Sequence, residues 1–232
     1  KYGKPDVLWT EFVSADGLYA TREREGKSDA ENPLMHDLAF GSSEHPIVAQ
    51  LFTSNPETMG YAAALCQELG FDGVDINMGC PDRSIEKQGA GAAHIKDPQT
   101  AREIIRAAKR GAKDIPVSVK TRAGYTKNEI ATWIPELLAE APAALTVHLR
   151  TRKEMSKVPA HYEWMPEVVS LRDMHAPETL VLLNGDVQDI EHGKNVVAQT
   201  GADGAMRAPC SSDARRGRSS GGPERRERLR DA

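Results

Sequence analysis

Short runs rich in β-branched residues alternate with longer segments of helical period between Pro46 and Met206. This alternation is typical of repeated βα units built around a parallel sheet. An earlier run predicts one further strand near the start of the chain. The predicted strands are Val7 to Val13, Ile47 to Phe52, Gly73 to Asn77, Val117 to Thr121, Ala144 to His148, Leu180 to Asn184 and Gly204 to Met206.

The helices between these strands are marked by their ends. Asn55-Pro56 and Asp97-Pro98 each combine an N-cap side chain with proline in the first turn, and Gly70 and Gly111 are the predicted C-terminal stops. The spacing from Thr126 to Glu129 is that of a capping box. Because Pro135 lies inside the helix that this box would start, we expect either a kink or a later start near Trp133.

An open doubly wound sheet and a closed eight-stranded barrel both fit the alternation. A barrel places its chemistry at the carboxyl ends of many strands, whereas an open sheet concentrates it at one crevice. No Gly-x-Gly-x-x-Gly run follows a predicted strand, and several strands end in polar residues. We therefore predict an α/β fold, a (β/α)8 TIM barrel that is incomplete, with about seven strands present. The polar residues at strand ends are Gln50, Asn77, Lys120, Arg122, His148, Arg150, Asn184 and Asp186.

The charge is distributed unevenly. The 232 residues carry a net charge of −4, but the stretch from Arg207 to Ala232 holds eight arginines and four acidic residues, which leaves −8 on residues 1–206. The stretch is almost free of apolar residues, so we predict a partial barrel domain at 1–206 and a disordered Arg/Ser/Gly-rich tail at 207–232. The acidic remainder argues against a wholly basic nucleic-acid binder.

The cysteines and the apolar runs indicate the compartment. Cys66, Cys80 and Cys210 cannot all pair within the chain and have no metal-ligand spacing, so we expect a reducing, cytoplasmic setting and no metal site. No apolar run approaches the ~18 residues needed to cross a bilayer, so we expect no membrane association.

Several of these residues could carry chemistry. Cys80 lies in a Gly/Pro turn just past a strand, where it either faces a ligand or fills the loop as a small apolar residue; Cys66, on the apolar stripe of a helix, is expected in the core. Lys120 either points into the barrel or extends to the surface. A lone strand histidine such as His148 is more often a core residue, but His148 to Arg152 supplies three possible cationic donors for a phosphate or an electron-rich heterocycle.

Glycines near the last two strands are candidates for holding a phosphate. The segment Gly201 to Gly204 and the segment Asn184 to Asp186 match the phosphate position of barrel enzymes, in the loops of the seventh and eighth strands.

Taken together and in this order, the motifs resemble those of the tRNA dihydrouridine synthases, flavin enzymes that reduce uridine in tRNA. The resemblance covers roughly Lys1 to Met206 and is carried by Asp75-Ile76-Asn77-Met78-Gly79-Cys80-Pro81, Gly89-Ala90-Gly91-Ala92, Val119-Lys120-Thr121-Arg122, Thr146-Val147-His148-Leu149-Arg150-Thr151-Arg152, Asn184-Gly185-Asp186 and Thr200-Gly201-Ala202-Asp203-Gly204.

The resemblance implies FMN at the barrel mouth, NADPH as its reductant and tRNA as partner, and we expect a monomer. It implies that Cys80 protonates carbon 5 of a flipped-out uracil, which suits a thiol that is mostly protonated at neutral pH. The implied contacts are Lys120, His148 and Gln50 to the flavin, Asn184, Gly185 and Gly204 to its phosphate arm, and Asn77 and Arg150 to the uracil or flavin.

The chain also departs from the family's pattern at both ends. The family begins with a strand carrying Ala-Pro-Met and ends with a Gly-Arg phosphate loop and a helical domain, so we expect a fragment without the first strand and that domain. Two other functions fit: reduction of a free pyrimidine or enoate by another FMN barrel, and a non-catalytic RNA-binding remnant acting through the Arg-rich end.

Overall fold

One curled parallel sheet organises the computed structural model, which describes residues 5–207. The sheet follows chain order, and every strand pairing in it is parallel. Within residues 5–207 the first and last strands do not pair with each other, so the predicted incomplete barrel is confirmed. The strands are β1 (Leu8–Trp9), β2 (Val13–Ser14), β3 (Ile47–Phe52), β4 (Gly73–Met78), β5 (Val117–Gly124), β6 (Ala144–Thr151), β7 (Leu180–Asn184) and β8 (Gly204–Met206).

The predicted first strand is interrupted rather than continuous. Both β1 and β2 pair with β3, in line with one another, so the sheet has seven strand positions. Between them the backbone N–H of Gln50 donates to the side-chain hydroxyl of Thr10 at 3.0 Å. Between β1 and β2 a side-chain oxygen thus replaces a backbone carbonyl as the acceptor, so the regular pattern of backbone hydrogen bonds to β3 is interrupted there.

Helices connect successive strands, and the two Asx-Pro starts are confirmed. The side chains of Asn55 and Asp97 accept from the backbone N–H groups of Glu57 and Thr100, and each helix has proline in its first turn. The α-helices are α1 (Ala15–Tyr19), α2 (Pro33–Asp37), α3 (Pro56–Glu68), α4 (Arg83–Glu86), α5 (Pro98–Ala112), α6 (Ile130–Leu138), α7 (Met165–His175) and α8 (Ile190–Thr200); a π-helix spans Ala20–Arg24 and 3-10 turns span Ser42–Glu44, Gly91–Lys96 and Tyr162–Trp164.

Gly111 has a packing role instead of the predicted stop. Helix α5 continues through Ala112, and Lys113 ends it with a φ of 47°. A Cβ built on Gly111 would lie 2.1 Å from the carbonyl oxygen of Gly60 in α3. The glycine is therefore required because the backbones of α3 and α5 touch at this crossing.

The predicted capping box at Thr126 is wrong, and so is the later start near Trp133. Helix α6 begins at Ile130, whose N–H donates to the side chain of Asn128 at 2.9 Å. The carboxylate of Glu129 accepts from the N–H of Tyr125 at 2.6 Å instead of closing a box with Thr126. Pro135 is accommodated inside α6.

The core lies between the sheet and its helices and inside the curl of the sheet. Cys66 is fully buried there, as predicted, and burial raises the pKa of its thiol to about 12. Across residues 5–207, none of the helices has the length and apolarity to cross a bilayer. The predicted tail from residue 208 onward, with Cys210, lies outside the described residues.

Candidate active site at the carboxyl ends of the strands

Five predicted site residues lie on five neighbouring strands, Lys120 near the middle of its strand and the other four in the carboxyl halves of theirs. The register pairs Asn77 with Lys120, and His148 with Asn184. Gln50 lies on β3, opposite Asp75 of β4. Because the strands are parallel, these side chains form one polar belt at the mouth of the curled sheet.

A chain of hydrogen bonds links the belt to the turn that carries Cys80. The amide Nδ2 of Asn77 donates to Oε1 of Gln50 at 2.9 Å. The amide Oδ1 of Asn77 accepts from the backbone N–H groups of Gly79 and Cys80 at 3.2 and 3.0 Å. Asn77 therefore shapes the turn in addition to facing the mouth.

Sequence reasoning assigned no role to Asp75, which the structure places at the base of this chain. Its side chain is fully buried and accepts from Nε2 of Gln50 at 2.6 Å and from Oγ of Ser118 at 2.6 Å. Burial raises the pKa of Asp75 to about 6, against the opposing effects of both hydrogen bonds and of Lys120. The sequence feature that could have indicated a role for Asp75 is an acidic residue in the middle of a predicted strand.

The Cys80 turn is closely packed from two sides. A Cβ at Gly91, which has a φ of +62°, would lie 2.7 Å from the carbonyl oxygen of Cys80. The guanidinium of Arg122, which is buried, donates from Nε to the carbonyl of Gly79 at 2.7 Å. The backbone that carries the thiol is consequently held in place by Gly91 and Arg122.

The thiol of Cys80 itself is half-buried. Burial raises its pKa, against the opposing effects of a hydrogen bond from the backbone of Asp82 and of the charges on Arg122 and Lys120. The group is therefore protonated at neutral pH, which is the state that a proton donor needs.

Lys120, for which the sequence allowed a side chain pointing into the barrel or one extending to the surface, is half-buried on β5. Burial and the charge of Arg122 lower the pKa of Lys120 to about 8, while Asp75 opposes this shift. Its ammonium makes no hydrogen bond or ion pair with residues 5–207. A cation held at the mouth without a direct partner is suited to an anionic or electron-rich ligand.

Of the three possible cationic donors predicted from His148 to Arg152, the structure makes one neutral and pairs the other two within the protein. Burial, together with the charges of Arg122, Lys120 and Arg150, lowers the pKa of His148 far below its usual range, so its ring is neutral. Arg150 donates to both carboxylate oxygens of Asp186, to the carbonyl of Val158 and to Nε2 of His148. The cationic groups are thus largely occupied within the protein.

Arg152 lies at the rim of the mouth and binds Glu86 of α4. Its Nε lies 2.8 and 2.9 Å from the two carboxylate oxygens, and its Nη2 also contacts the carbonyl of Pro81 at 3.3 Å. Arg152 therefore ties the segment after β6 to the segment after β4.

The contact of Arg150 with His148 settles the tautomer of the imidazole. A guanidinium N–H can only donate, so Nε2 of His148 accepts at 3.1 Å and the proton resides on Nδ1. The neutral ring then has an Nδ1–H donor available at the mouth.

Asn184 is the last residue of β7, and Gly185 follows it at the same mouth. The amide Nδ2 of Asn184 donates to the carbonyl of Met206 at 2.8 Å, which ties β7 to β8. Gly185 has a φ of +118°, and a Cβ there would lie 3.0 Å from Cβ of Ala160 and 3.1 Å from Cδ2 of His148. Only glycine leaves space between this backbone and the imidazole.

Gly204 is not at the mouth, which corrects its predicted place in a phosphate site. It begins β8 and pairs with Leu182, whereas Met206 pairs with Asn184 at the carboxyl end. The preceding Gly201 ends α8 with a φ of +75°. The segment from Gly201 to Gly204 therefore leads into the amino end of the strand, away from the other site residues.

A curled βα sheet with a polar mouth at the carboxyl ends of its strands defines a protein of the βα-barrel class. The family model described as dihydrouridine synthase matches residues 1–214. The chain belongs to the dihydrouridine synthase family.

Curated relatives agree with this membership. The chain is 42% identical over 205 residues to a protein named probable tRNA-dihydrouridine synthase 2 of Bacillus subtilis, and 39% identical over 210 residues to a probable tRNA-dihydrouridine synthase of Staphylococcus aureus. Each match covers 88% of this chain and 60% of the relative, so the chain spans about three fifths of the relatives' length.

A solved structure supports the fold alone. The crystal structure of a putative deoxyribose-phosphate aldolase from Coccidioides immitis aligns with a TM-score of 0.53 at 15% identity, covering 93% of this chain and 89% of that one.

Proposed function

We propose that this chain carries the catalytic site of a flavin-dependent reductase that converts uridine in tRNA to 5,6-dihydrouridine, with FMN at the mouth and NADPH as reductant. The observation that carries the proposal is a protonated, half-buried thiol at Cys80 that lies within electrostatic reach of Lys120, at the same end of the sheet as the neutral His148. Membership of the family supports the same reaction.

The residues at the mouth fit a flavin. The ammonium of Lys120 has no direct partner in the described part of the chain, and His148 has an Nδ1–H donor, so both can bind the electron-rich edge of an isoalloxazine ring. Gln50 uses one amide N–H for Asp75 and keeps the other for a ligand. Asn184 and Gly185 would hold the phosphate arm, since they lie at the carboxyl end of β7 with the Gly185 backbone close to the His148 ring.

When bound and reduced, FMN supplies a hydride to carbon 6 of the uracil. Cys80 supplies the complementary proton: its S–H bond breaks, a C–H bond forms at carbon 5 and the thiolate remains. The neighbouring cations Arg122 and Lys120 stabilise that thiolate as it forms. The turn held by Asn77 and Arg122 keeps the sulfur in one position.

Asn77 and Arg150 are the proposed contacts to the uracil or flavin. Arg150 keeps one N–H of Nη1 after its contacts to His148, Asp186 and Val158. The base must leave the RNA stack to reach a thiol set into the mouth, which costs a few kcal/mol and least in a loop. We further propose a monomer that acts in the cytoplasm.

The test compares the wild-type chain with Cys80→Ala, using unmodified tRNA, FMN and NADPH. Dihydrouridine is measured by mass spectrometry of the digested nucleosides. We expect the variant to lose at least about a hundredfold in turnover, as is usual on removal of a general acid, and to bind FMN as before. Cys66→Ala is the matched control because that cysteine lies in the core, far from solvent.

Free uridine and orotate in parallel reactions distinguish the tRNA reductase from a reductase of free pyrimidines. Turnover of the free pyrimidine but not of tRNA would overturn the tRNA assignment. Full activity of Cys80→Ala would remove the thiol from the mechanism.

A further inference from the structure

The buried carboxylate of Asp75 touches neither the thiol nor the space of the mouth, yet it is joined to the Cys80 turn by three successive hydrogen-bonded links. Nε2 of Gln50 donates to Asp75 at 2.6 Å, Nδ2 of Asn77 donates to Gln50 at 2.9 Å, and the N–H of Cys80 donates to Asn77 at 3.0 Å. All donors in this chain point the same way, toward Asp75.

The two ends of the chain determine the orientation of both amides. A carboxylate can only accept, so Gln50 must direct its NH2 group to Asp75 and its carbonyl to Asn77. A backbone N–H can only donate, so Asn77 must direct its carbonyl to Gly79 and Cys80 and its NH2 group to Gln50. If the amide of Gln50 were flipped, its NH2 group would face the NH2 group of Asn77. Asn77 would then lose either its bond to Gln50 or its bonds to the N–H groups of Gly79 and Cys80.

The surroundings of Asp75 keep it an acceptor. Ser118 of the next strand donates its hydroxyl to the other carboxylate oxygen at 2.6 Å, and Lys120 provides a nearby positive charge. These groups oppose the effect of burial on the pKa of Asp75, which is about 6, so the carboxylate predominates at pH 7.5. The ammonium of Lys120 can only donate, so it offers Gln50 no alternative acceptor.

We propose that Asp75 is a positioning residue that sets the amide orientations of Gln50 and Asn77 and thereby anchors the Cys80 turn. Its requirement is an acceptor oxygen facing Gln50, not a negative charge. The consequence for turnover rests on the proposed function of Cys80 as the acid, whereas the anchoring itself does not depend on that function.

The charge and the acceptor can be separated by substitution. Asp75→Asn retains an oxygen for Gln50 while its NH2 group can donate to the hydroxyl of Ser118, so the orientation is preserved. Asp75→Ala removes the acceptor. Gln50→Leu removes both bonds that Gln50 makes but keeps the bond between Asp75 and Ser118, and it serves if Asp75→Ala does not fold.

The readout is hydrogen exchange of the backbone amides of Gly79 and Cys80 in the folded full chain at pH 7.5. The Val74 amide, which donates to Pro116 at 2.9 Å, is the internal reference on the same strand. We expect exchange at Gly79 and Cys80 to accelerate about tenfold in Asp75→Ala and in Gln50→Leu, which corresponds to the loss of one hydrogen bond. Asp75→Asn is expected to exchange as the wild type does.

A second readout is alkylation of Cys80 by iodoacetamide, followed on the Cys80 peptide by mass spectrometry. The alkylation rate should change in Asp75→Ala and Gln50→Leu, which interrupt the hydrogen-bonded links, and stay at the wild-type value in Asp75→Asn. The proposal would be overturned if folded Asp75→Ala or Gln50→Leu showed the same rates of amide exchange and of alkylation as the wild type. Equal damage in Asp75→Asn and Asp75→Ala would also overturn it, since charge would then be what matters. Because neither readout uses tRNA or flavin, a failure of the proposed function would leave these results interpretable.

Discussion

Nη2 of Arg150 donates to both carboxylate oxygens of Asp186, at 2.7 and 2.6 Å, and so joins β6 to the turn after β7. The Arg150 side chain is only 6% exposed and that of Asp186 is 46% exposed. The backbone N–H of Ala160 also donates to Asp186, at 2.9 Å. A largely buried cation therefore depends on one partly exposed anion.

Asp186→Asn should destabilise the fold by about 1–3 kcal/mol because the guanidinium loses its countercharge while it stays buried. Asparagine tolerates the φ of 54° at this position, so the backbone is unaffected. Urea unfolding measures the effect. Asp173→Asn is the control, since 63% of the Asp173 side chain is exposed and its partner Arg172 also pairs with Asp203, so that cation keeps a countercharge. Equal stability of the two variants would contradict the dependence of Arg150 on Asp186.

Gly111→Ala should destabilise the fold by about 2 kcal/mol or more. The new methyl would meet the Gly60 carbonyl at 2.1 Å, so α3 and α5 must separate, as in other overpacked cores. The measurement is again urea unfolding. Gly41→Ala is the control because its Cβ would approach no atom closer than 3.6 Å and its backbone is extended. A change of less than about 0.5 kcal/mol in Gly111→Ala would refute the close crossing of the helices.

The buried carboxylate of Asp75 makes stability depend on pH. Its pKa is about 6 in the fold against an ordinary value of 3.8, so between these values the folded chain binds more protons than the unfolded chain. The free energy of unfolding should therefore fall from pH 4 to pH 6 relative to Asp75→Asn, by at most about 3 kcal/mol.

Unfolding of wild type and Asp75→Asn across that range measures the difference. Asp72→Asn is a control of opposite sign: burial acts to raise the pKa of Asp72, but hydrogen bonds from Ile47 and His45 hold it below its usual value. Its contribution to stability is thus present above about pH 4 and is lost as the pH falls further. A pH-independent difference between wild type and Asp75→Asn would show that Asp75 titrates normally.

Gly185→Ala should weaken FMN binding at least about tenfold. The methyl would lie 3.0 Å from Ala160 and 3.1 Å from the His148 ring, and the φ of +118° disfavours any side chain. Quenching of flavin fluorescence on titration gives the affinity. Gly193→Ala in α8 is the control because its Cβ would make only ordinary contacts at 3.4 and 3.5 Å. Equal affinity of both variants would place the flavin elsewhere.

The strands and the polar residues at their ends were accessible from sequence because both depend on local pattern. Ile47–Phe52, Leu180–Asn184 and Gly204–Met206 have the predicted bounds, and β-branched runs between Asx-Pro starts and glycines determine such segments. Because the strands are parallel, their carboxyl ends lie at one edge of the sheet. The sequence therefore also predicted that its polar strand residues group together, namely Gln50, Asn77, Lys120, His148 and Asn184.

Other features depended on groups that are distant along the chain. Nothing near Gly111 indicates that Gly60 lies against it, and nothing near Arg150 and Arg152 indicates that Asp186 and Glu86 occupy their charges. The amino-end position of Gly204 followed from the way α8 leads into β8, not from the glycines of that turn.

The sequence by itself determined the βα alternation, the family and the cysteine at the mouth, because periodicity and short motifs are written in consecutive residues. Only the tertiary structure decided which polar groups are free to bind a ligand. That property depends on burial and on partners contributed by other strands. It leaves His148 neutral, Arg150 paired and Lys120 without a direct partner among residues 5–207. It also revealed Asp75, a buried carboxylate that accepts hydrogen bonds from side chains of both neighbouring strands.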